Sequence, residues 1–138
     1  MFESIDPATG ASFHSVPLDT PDKLESKISA ARASFTEWKG TPIKKRAALV
    51  ERLAASIRED RERIAMLMTR EMGKPIREAR GEVDKCAWCF EHYAKFAESY
   101  LAPVMLESDA TKSYVQHLPL GTVLAILPWN APIWLAAR

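Results

Sequence analysis

Thr122-Val123-Leu124-Ala125-Ile126-Leu127 is the stretch of sequence that decides the fold. Every residue after the threonine is apolar, and a continuous apolar run of this length is typical of a strand buried on both faces of a parallel sheet. Pro128–Pro132 has the composition of a loop between a strand and a helix. We therefore expect an α/β fold in which residues 122–127 form the first strand of a parallel sheet.

The neighbours that such a strand needs are not found in the sequence. A parallel strand requires a crossover and a second strand beside it. Residues 133–138 begin a helix but are too few for it to form. Both edges of residues 122–127 would stay open to wrong pairing. We expect the sequence to be the truncated N-terminal part of a larger protein.

The sequence before this strand predicts a short hairpin followed by four helices. Phe2–Asp6 and Ser12–Val16 flank the turn signal Pro7–Gly10. Apolar residues then recur at spacings of three and four, as on the buried side of amphipathic helices. The helices are expected to begin near Thr20, Thr41, Asp60 and Ile76, with caps at Thr20 and Thr41 and a stop at Gly73. Ser113–Leu118 alternates like a half-exposed strand.

Composition and charge argue against several classes of protein. The 138 residues include 19 basic and 18 acidic ones, and the net charge of +1 gives no electrostatic reason to expect a nucleic-acid or membrane-surface partner. The start has no secretory signal, and no apolar run approaches the ~20 residues of a membrane span. Two cysteines do not form a disulfide framework, so we expect a cytoplasmic protein.

Cys86 and Cys89 stand in a Cys-x-x-Cys spacing, with His92 one helical turn further on. A redox pair is expected at a helix N-terminus, where the helix dipole lowers the thiol pKa, but this pair lies in the middle of a predicted helix. Haem attachment needs histidine directly after the second cysteine, where the sequence has Phe90. Zinc would need a fourth ligand. We favour packing cysteines over a metal or redox role, and expect no metal site.

The charged residues around the third helix end are expected to be surface or turn residues. These are Glu71, Lys74, Glu78 and Glu82, the last two being one helical turn apart. A glycine inside a helix costs roughly 1 kcal/mol relative to alanine. Gly81 lies within the fourth predicted helix, so we expect close packing against it.

Three stretches resemble the aldehyde dehydrogenase superfamily. Asp6–Gly10 (DPATG) is similar to the hairpin that opens many members. Glu71–Val83 resembles the segment E-x-G-K-P…EA…GEV, and Pro119–Asn130 resembles P-x-G-V-V…I-x-P-W-N. Together they span nearly the whole chain, in the family's order. The resemblance implies that residues 1–138 are part of an N-terminal NAD(P)-binding domain, that residues 122–127 begin a Rossmann-like sheet, and that the catalytic domain is absent.

Two details of the sequence bear on the branch of the family. The middle segment, continued by Lys85–His92, looks most like bacterial succinate-semialdehyde dehydrogenases. Many members have an aromatic residue after the motif's asparagine, where this chain has Ala131. Alanine there resembles enzymes that act on aromatic aldehydes such as salicylaldehyde or vanillin. The implied substrate is a small-molecule aldehyde or semialdehyde.

Members of the family oxidise an aldehyde to a carboxylic acid. A cysteine thiolate attacks the carbonyl, hydride passes to NAD or NADP, and a glutamate-activated water hydrolyses the thioester. By resemblance, Asn130 donates its side-chain amide to the oxyanion in the complete enzyme. The residues that would border the cofactor, at the carboxyl end of the first strand, are Ile126, Leu127, Pro128 and Trp129. Because the nucleophile and the glutamate lie downstream in the family, residues 1–138 are expected to be inactive alone.

Two alternatives stand beside this interpretation. Outside the motif, an asparagine in a loop before a helix is most often a capping residue, which is the other role open to Asn130. The resemblance also implies a homo-oligomer, with residues 113–118 among the strands used for subunit contacts. Because that strand is retained without the catalytic half, the alternative function is a non-catalytic subunit that docks on full-length homologues.

Overall fold

Five helices and four short strands make up the computed structural model, which describes residues 1–138. In chain order they are β1 (Phe2–Ile5), β2 (Ser12–Val16), α1 (Pro21–Trp38), α2 (Ile43–Glu59), α3 (Arg61–Met72), α4 (Ile76–Tyr100), β3 (Val104–Leu106), β4 (Ser113–Val115) and α5 (Pro132–Ala137). The strands form two antiparallel pairs, β1 with β2 and β3 with β4. The predicted hairpin and all four predicted helices are present.

Two helix ends show how local sequence sets the boundaries. Thr20 caps α1, as predicted, because its side-chain oxygen accepts a hydrogen bond from the backbone N–H of Lys23 at 3.3 Å. Gly73 ends α3 with a φ of 75°, a left-handed conformation that glycine adopts without steric cost. A Cβ on Gly73 would come within 3.2 Å of Cγ of Pro7. The glycine therefore also lets the first hairpin lie close to the end of α3.

The core lies along one face of α4, which packs against α2, α3 and α5. Between α3 and α4, the buried residues are Ala65, Met68, Ala79 and Val83, with Ile57, Ile64, Ile76 and Ile133 against them. Between α4 and α5, the buried residues are Cys86, Cys89 and Ala137, with Phe90, Ile133 and Trp134 against them. Ile133 contacts both clusters, so apolar contacts hold the start of α5 on α4.

Ion pairs between helices supplement this packing. The guanidinium of Arg61 on α3 contacts the carboxylate of Asp84 on α4 through two hydrogen bonds of 2.8 Å. Arg58 on α2 contacts Glu91 on α4 in the same way, at 2.7 and 3.0 Å. These hydrogen bonds hold the pKa of each carboxyl group below its ordinary value. Because two-bond pairs constrain direction, they help to fix how the helices are oriented.

Residues 122–127, predicted to be a buried strand, form no strand in the structure. Their apolar side chains are exposed, Leu124 to 85% and Ile126 to 87%. Residues 116–130 make no backbone–backbone hydrogen bond with any part of the chain. A strand exists only as part of a ladder, and no other segment lies beside this one. The two strand pairs of the structure, β1–β2 and β3–β4, do not include residues 122–127.

Three further expectations need correction. The predicted strand at residues 113–118 ends at Val115, because its partner β3, which was not predicted, offers only the three residues Val104–Leu106. The cap expected at Thr41 does not form, and its hydroxyl instead donates to the carbonyl of Glu37 at 3.5 Å. Close packing at Gly81 is also wrong, since a Cβ there would meet nothing within 4 Å.

The last helix also differs from expectation. Residues 133–138 were expected to be too few for a helix, yet α5 forms. The expectation considered an isolated helix, whereas α5 gains tertiary contacts with α4 through Ile133 and Trp134. None of the five helices combines the length and hydrophobicity needed to cross a membrane.

Candidate active-site turn

Residues 128–131 form a turn that leads directly into α5 and carries the predicted site residue Asn130. On one side of the turn, an open groove of about 410 Å³ is bordered by Trp129 and Ile133 and by the apolar side chains of Leu67 and Met68 on α3. Trp129 is 75% exposed. The turn is therefore accessible from solvent while α5 is held against the core.

Glu82 is the only charged residue among the ten buried ones, at 7% exposed. Its Oε1 accepts hydrogen bonds from the backbone N–H groups of Ile133, at 3.2 Å, and Trp134, at 3.1 Å. These are N–H groups that the first turn of a helix cannot satisfy by itself. Glu82 on α4 thus caps α5, and its prediction as a surface residue is wrong.

Lys74, in the loop between α3 and α4, completes this arrangement. Its ammonium pairs with Oε2 of Glu82 and donates a second hydrogen bond to the backbone carbonyl of Asn130 at 2.9 Å. Only 14% of the Lys74 side chain and 6% of the Glu82 side chain are exposed. Lys74 lies in a loop and is half-buried, with most of its side chain covered. Water and salt screen such a pair little, so it is a firm anchor for the turn.

The structure removes the capping alternative for Asn130. The residue that precedes α5 is Ala131, and no side chain of the turn caps the helix. Glu82 already accepts from the first N–H groups of α5, so a side-chain cap from Asn130 is not needed. The Asn130 backbone carbonyl is bound by Lys74, while its exposed side chain makes no hydrogen bond within the chain. The amide is therefore held by its backbone and free to donate to a ligand.

The four residues predicted to border a cofactor lead into this turn. Ile126, Leu127 and Trp129 are 87%, 41% and 75% exposed, and Pro128 is exposed with them. Their backbone groups form no hydrogen bond with other backbone groups. Sites for small molecules and cofactors combine apolar surface with backbone N–H and C=O groups that are not hydrogen-bonded to other backbone groups.

The cysteines are packing residues, as predicted. Cys86 is fully buried and Cys89 is 6% exposed, and the Cys89 thiol donates to the carbonyl of Ala137 at 3.8 Å. Burial raises the pKa of the Cys86 thiol to about 12, with a further contribution from the nearby charge of Glu82. A thiol with so high a pKa is a poor nucleophile at neutral pH. Both thiols are thus shielded from solvent.

The chain is similar to a known protein family and to curated relatives over almost its whole length. The model of the aldehyde dehydrogenase family matches residues 1–138. The chain is 38% identical to the succinate semialdehyde dehydrogenase (NAD(P)+) Sad of Escherichia coli over 98% of its own length and 29% of that protein. It is 36% identical to a probable NADP(+) succinate-semialdehyde dehydrogenase of Synechocystis over 98% of its length and 30% of the relative. The chain thus spans about 30% of the length of the curated relatives it matches.

The fold of the chain is also similar to solved structures. The fold superimposes on succinic semialdehyde dehydrogenase from Streptococcus pyogenes, solved with NADP+ as the cofactor, with a TM-score of 0.93 and 31% identity over 99% of this chain and 30% of that one. It superimposes on Gox0499 with a TM-score of 0.94 and 33% identity over 98% of this chain and 30% of the other. A family match over every residue, with the same fold in solved members, leaves one conclusion: the chain belongs to the aldehyde dehydrogenase family.

Proposed function

We propose that residues 1–138 are the N-terminal segment of the cofactor-binding domain of an aldehyde dehydrogenase that oxidises an aldehyde to a carboxylic acid with NAD or NADP. The observation that supports this most is the family match over the whole chain, combined with an Asn130 side chain that is left free beside a fixed backbone. The names of the first relatives point to succinate semialdehyde as the first substrate to test.

In this function Asn130 is the oxyanion donor. When a thiolate attacks the aldehyde, the carbonyl carbon becomes tetrahedral and its oxygen gains negative charge. An amide N–H that is already in position stabilises this charge without reorganisation, and removing one such donor typically lowers the rate about 10²- to 10³-fold. Cys86 and Cys89 are buried, so the thiolate comes from another part of the enzyme.

Ile126, Leu127, Pro128 and Trp129 fit the cofactor role. Their exposed apolar surface can contact a planar ring and exclude water, and their open backbone groups can hydrogen-bond to a carboxamide. When bound, the nicotinamide supplies a hydride acceptor. The protein's part would be to hold the aldehyde so that its carbonyl oxygen can accept a hydrogen bond from the Asn130 amide while Ile126, Leu127, Pro128 and Trp129 border the cofactor.

Two other segments would be completed by the rest of the enzyme. Residues 122–127 would become the first strand of its parallel sheet, which accounts for apolar side chains that are otherwise exposed. In residues 113–118, the strand β4 ends at Val115. In the complete enzyme this segment would join the strands that make subunit contacts in a homo-oligomer. Residues 1–138 alone would have no dehydrogenase activity.

The test joins residues 1–138 in frame to the remaining part of Sad, the 38% identical relative. The joined enzyme should form NADH or NADPH when given succinate semialdehyde, and Asn130→Ala should lower kcat about 10²- to 10³-fold. Asn130→Asp, which keeps the shape but replaces the donor by an acceptor, should be at least as harmful. A joined enzyme that is folded and oligomeric yet inactive would contradict the proposal.

Asp109→Ala serves as the matched control, since it makes a truncation of similar size in the exposed loop between β3 and β4. It should leave kcat within about twofold, as surface substitutions usually do. The unjoined chain, mixed with cofactor and aldehyde, should form no reduced cofactor. Co-purification of the unjoined chain with full-length Sad would instead favour the docking-subunit alternative.

A further inference from the structure

We infer that Lys74 and Glu82 are positioning residues that aim the Asn130 side chain. This inference rests on the proposed function, because it assigns these residues an effect on the reaction that Asn130 assists. Lys74 acts on the backbone of the turn, and Glu82 acts on the first N–H groups of α5, which follows the turn. Their role is to fix where the Asn130 Cα and the peptide that follows it lie, and so where the side chain begins.

The hydrogen bonds hold the backbone that directly follows this Cα. Lys74 binds the carbonyl of Asn130 itself at 2.9 Å. Glu82 binds the N–H groups of Ile133 and Trp134, only three and four residues later. Pro132 lies between these anchors, and its ring fixes one of the few remaining backbone torsions. The peptide after Asn130 therefore has little freedom to rotate.

The only other hydrogen bond made by the turn is the one from the N–H of Leu135 to the carbonyl of Ala131, at 3.0 Å, where α5 begins. Residues 116–130 make no backbone–backbone hydrogen bond, so the turn inherits no direction from a paired strand. The apolar contacts of Ile133 hold α5 against α4, but they act after the turn and do not reach the Asn130 peptide. Among side chains, only Lys74 and Glu82, from the loop before α4 and from α4 itself, hold the peptide that follows Asn130 through hydrogen bonds.

Lys74 and Glu82 also depend on each other. Both are largely buried, and removal of one leaves the other as a buried charge with fewer partners. A role in stability alone would give the same burial and the same ion pair. The two roles differ in their consequences: a positioning role acts through Asn130 and disappears when the Asn130 amide is removed.

The first measurement follows amide hydrogen exchange at Ile133 and Trp134 in the chain as it stands. Glu82→Gln keeps the size and an acceptor oxygen but loses the charge, so exchange at these two amides should become about tenfold faster. Glu78→Gln, the same change one helical turn away at an exposed position, is the matched control and should leave both rates unchanged. Equal rates in all three proteins would overturn the cap as an anchor.

The second measurement is kinetic and uses the joined enzyme. Lys74→Met and Glu82→Gln should each lower kcat about 10- to 100-fold, the usual effect of a misplaced catalytic group, with KM within about twofold. In an Asn130→Ala background, neither substitution should lower kcat further. An equal loss of kcat in both backgrounds would show a structural role only, and would overturn the inference.

The two proposals fail in different ways. If Asn130→Ala leaves kcat unchanged, the oxyanion role of the proposed function is wrong whatever Lys74 and Glu82 do. If Asn130→Ala is harmful but Lys74→Met and Glu82→Gln are not, the proposed function stands and the positioning inference is overturned. Helical circular dichroism of each variant separates both outcomes from unfolding, and Lys74→Met gives an answer even if Glu82→Gln does not fold.

Discussion

Val83→Ala tests whether the buried face of α4 holds this arrangement together. Val83 is 0% exposed, follows Glu82 in sequence, and packs with Ala65, Met68 and Ala79. Alanine removes two methyl groups, each with a transfer free energy of about 0.8 kcal/mol, and leaves a cavity that costs about 24 cal/mol per Å³. The expected loss in free energy of unfolding is about 2–3 kcal/mol, which lowers the melting temperature by roughly 10 °C.

The assay is urea unfolding followed by far-ultraviolet circular dichroism, which reports the four long helices. Val123→Ala makes the same chemical change at a residue that is 73% exposed, and should alter the free energy of unfolding by less than about 0.5 kcal/mol. If the two variants lose equal stability, Val83 does not lie in a packed core, and the position of Glu82 on a buried helix face would be wrong.

Three further outcomes are expected. The two cysteine thiols should react with a thiol reagent at neutral pH only after unfolding, because both are buried; rapid labelling of the native chain would contradict this. The hydrogen bonds from Arg61 lower the pKa of Asp84 in the folded state, so this stabilisation is complete above about pH 5 and is lost as the pH falls through the lowered pKa. The urea concentration at the unfolding midpoint should therefore fall as the pH is lowered, and it should fall less steeply for Asp84→Asn. If the midpoint depends on pH in the same way in both proteins, the ion pair between Arg61 and Asp84 would be disproved. Gly73→Ala should lower the free energy of unfolding by about 1–2 kcal/mol because the φ of Gly73 is positive. Gly81→Ala should raise the free energy of unfolding by up to about 1 kcal/mol because a Cβ there meets open space. Equal effects of the two substitutions would show that Gly73 does not adopt the left-handed conformation.

The helices and the first hairpin could be predicted because their signals are local. The cap at Thr20 and the left-handed Gly73 act within a few residues of themselves, and the apolar spacing of α4 depends on helical geometry alone. The strand at residues 122–127 could not form from local sequence, however apolar it is. Its ladder needs another segment, and none is present within residues 1–138.

The candidate site was predicted only in part. The Asn130 turn was identified by its motif, but Lys74 and Glu82 were not, because their contacts join residues 51 to 56 positions apart in sequence. One signal in the sequence did point to Glu82. It lies three residues after Ala79 and four before Cys86, on the helical spacing of the buried face of α4. A carboxylate on such a face needs polar partners, and two backbone N–H groups and a lysine supply them.

The most direct test of the site is a crystal structure of the joined enzyme trapped as a tetrahedral adduct with an aldehyde-derived inhibitor. The Asn130 side-chain nitrogen should lie about 2.7–3.1 Å from the oxyanion of the adduct, with Lys74 still bound to the Asn130 carbonyl. An Asn130 side chain turned away from that oxygen, with another donor in its place, would show that this turn does not carry the oxyanion donor.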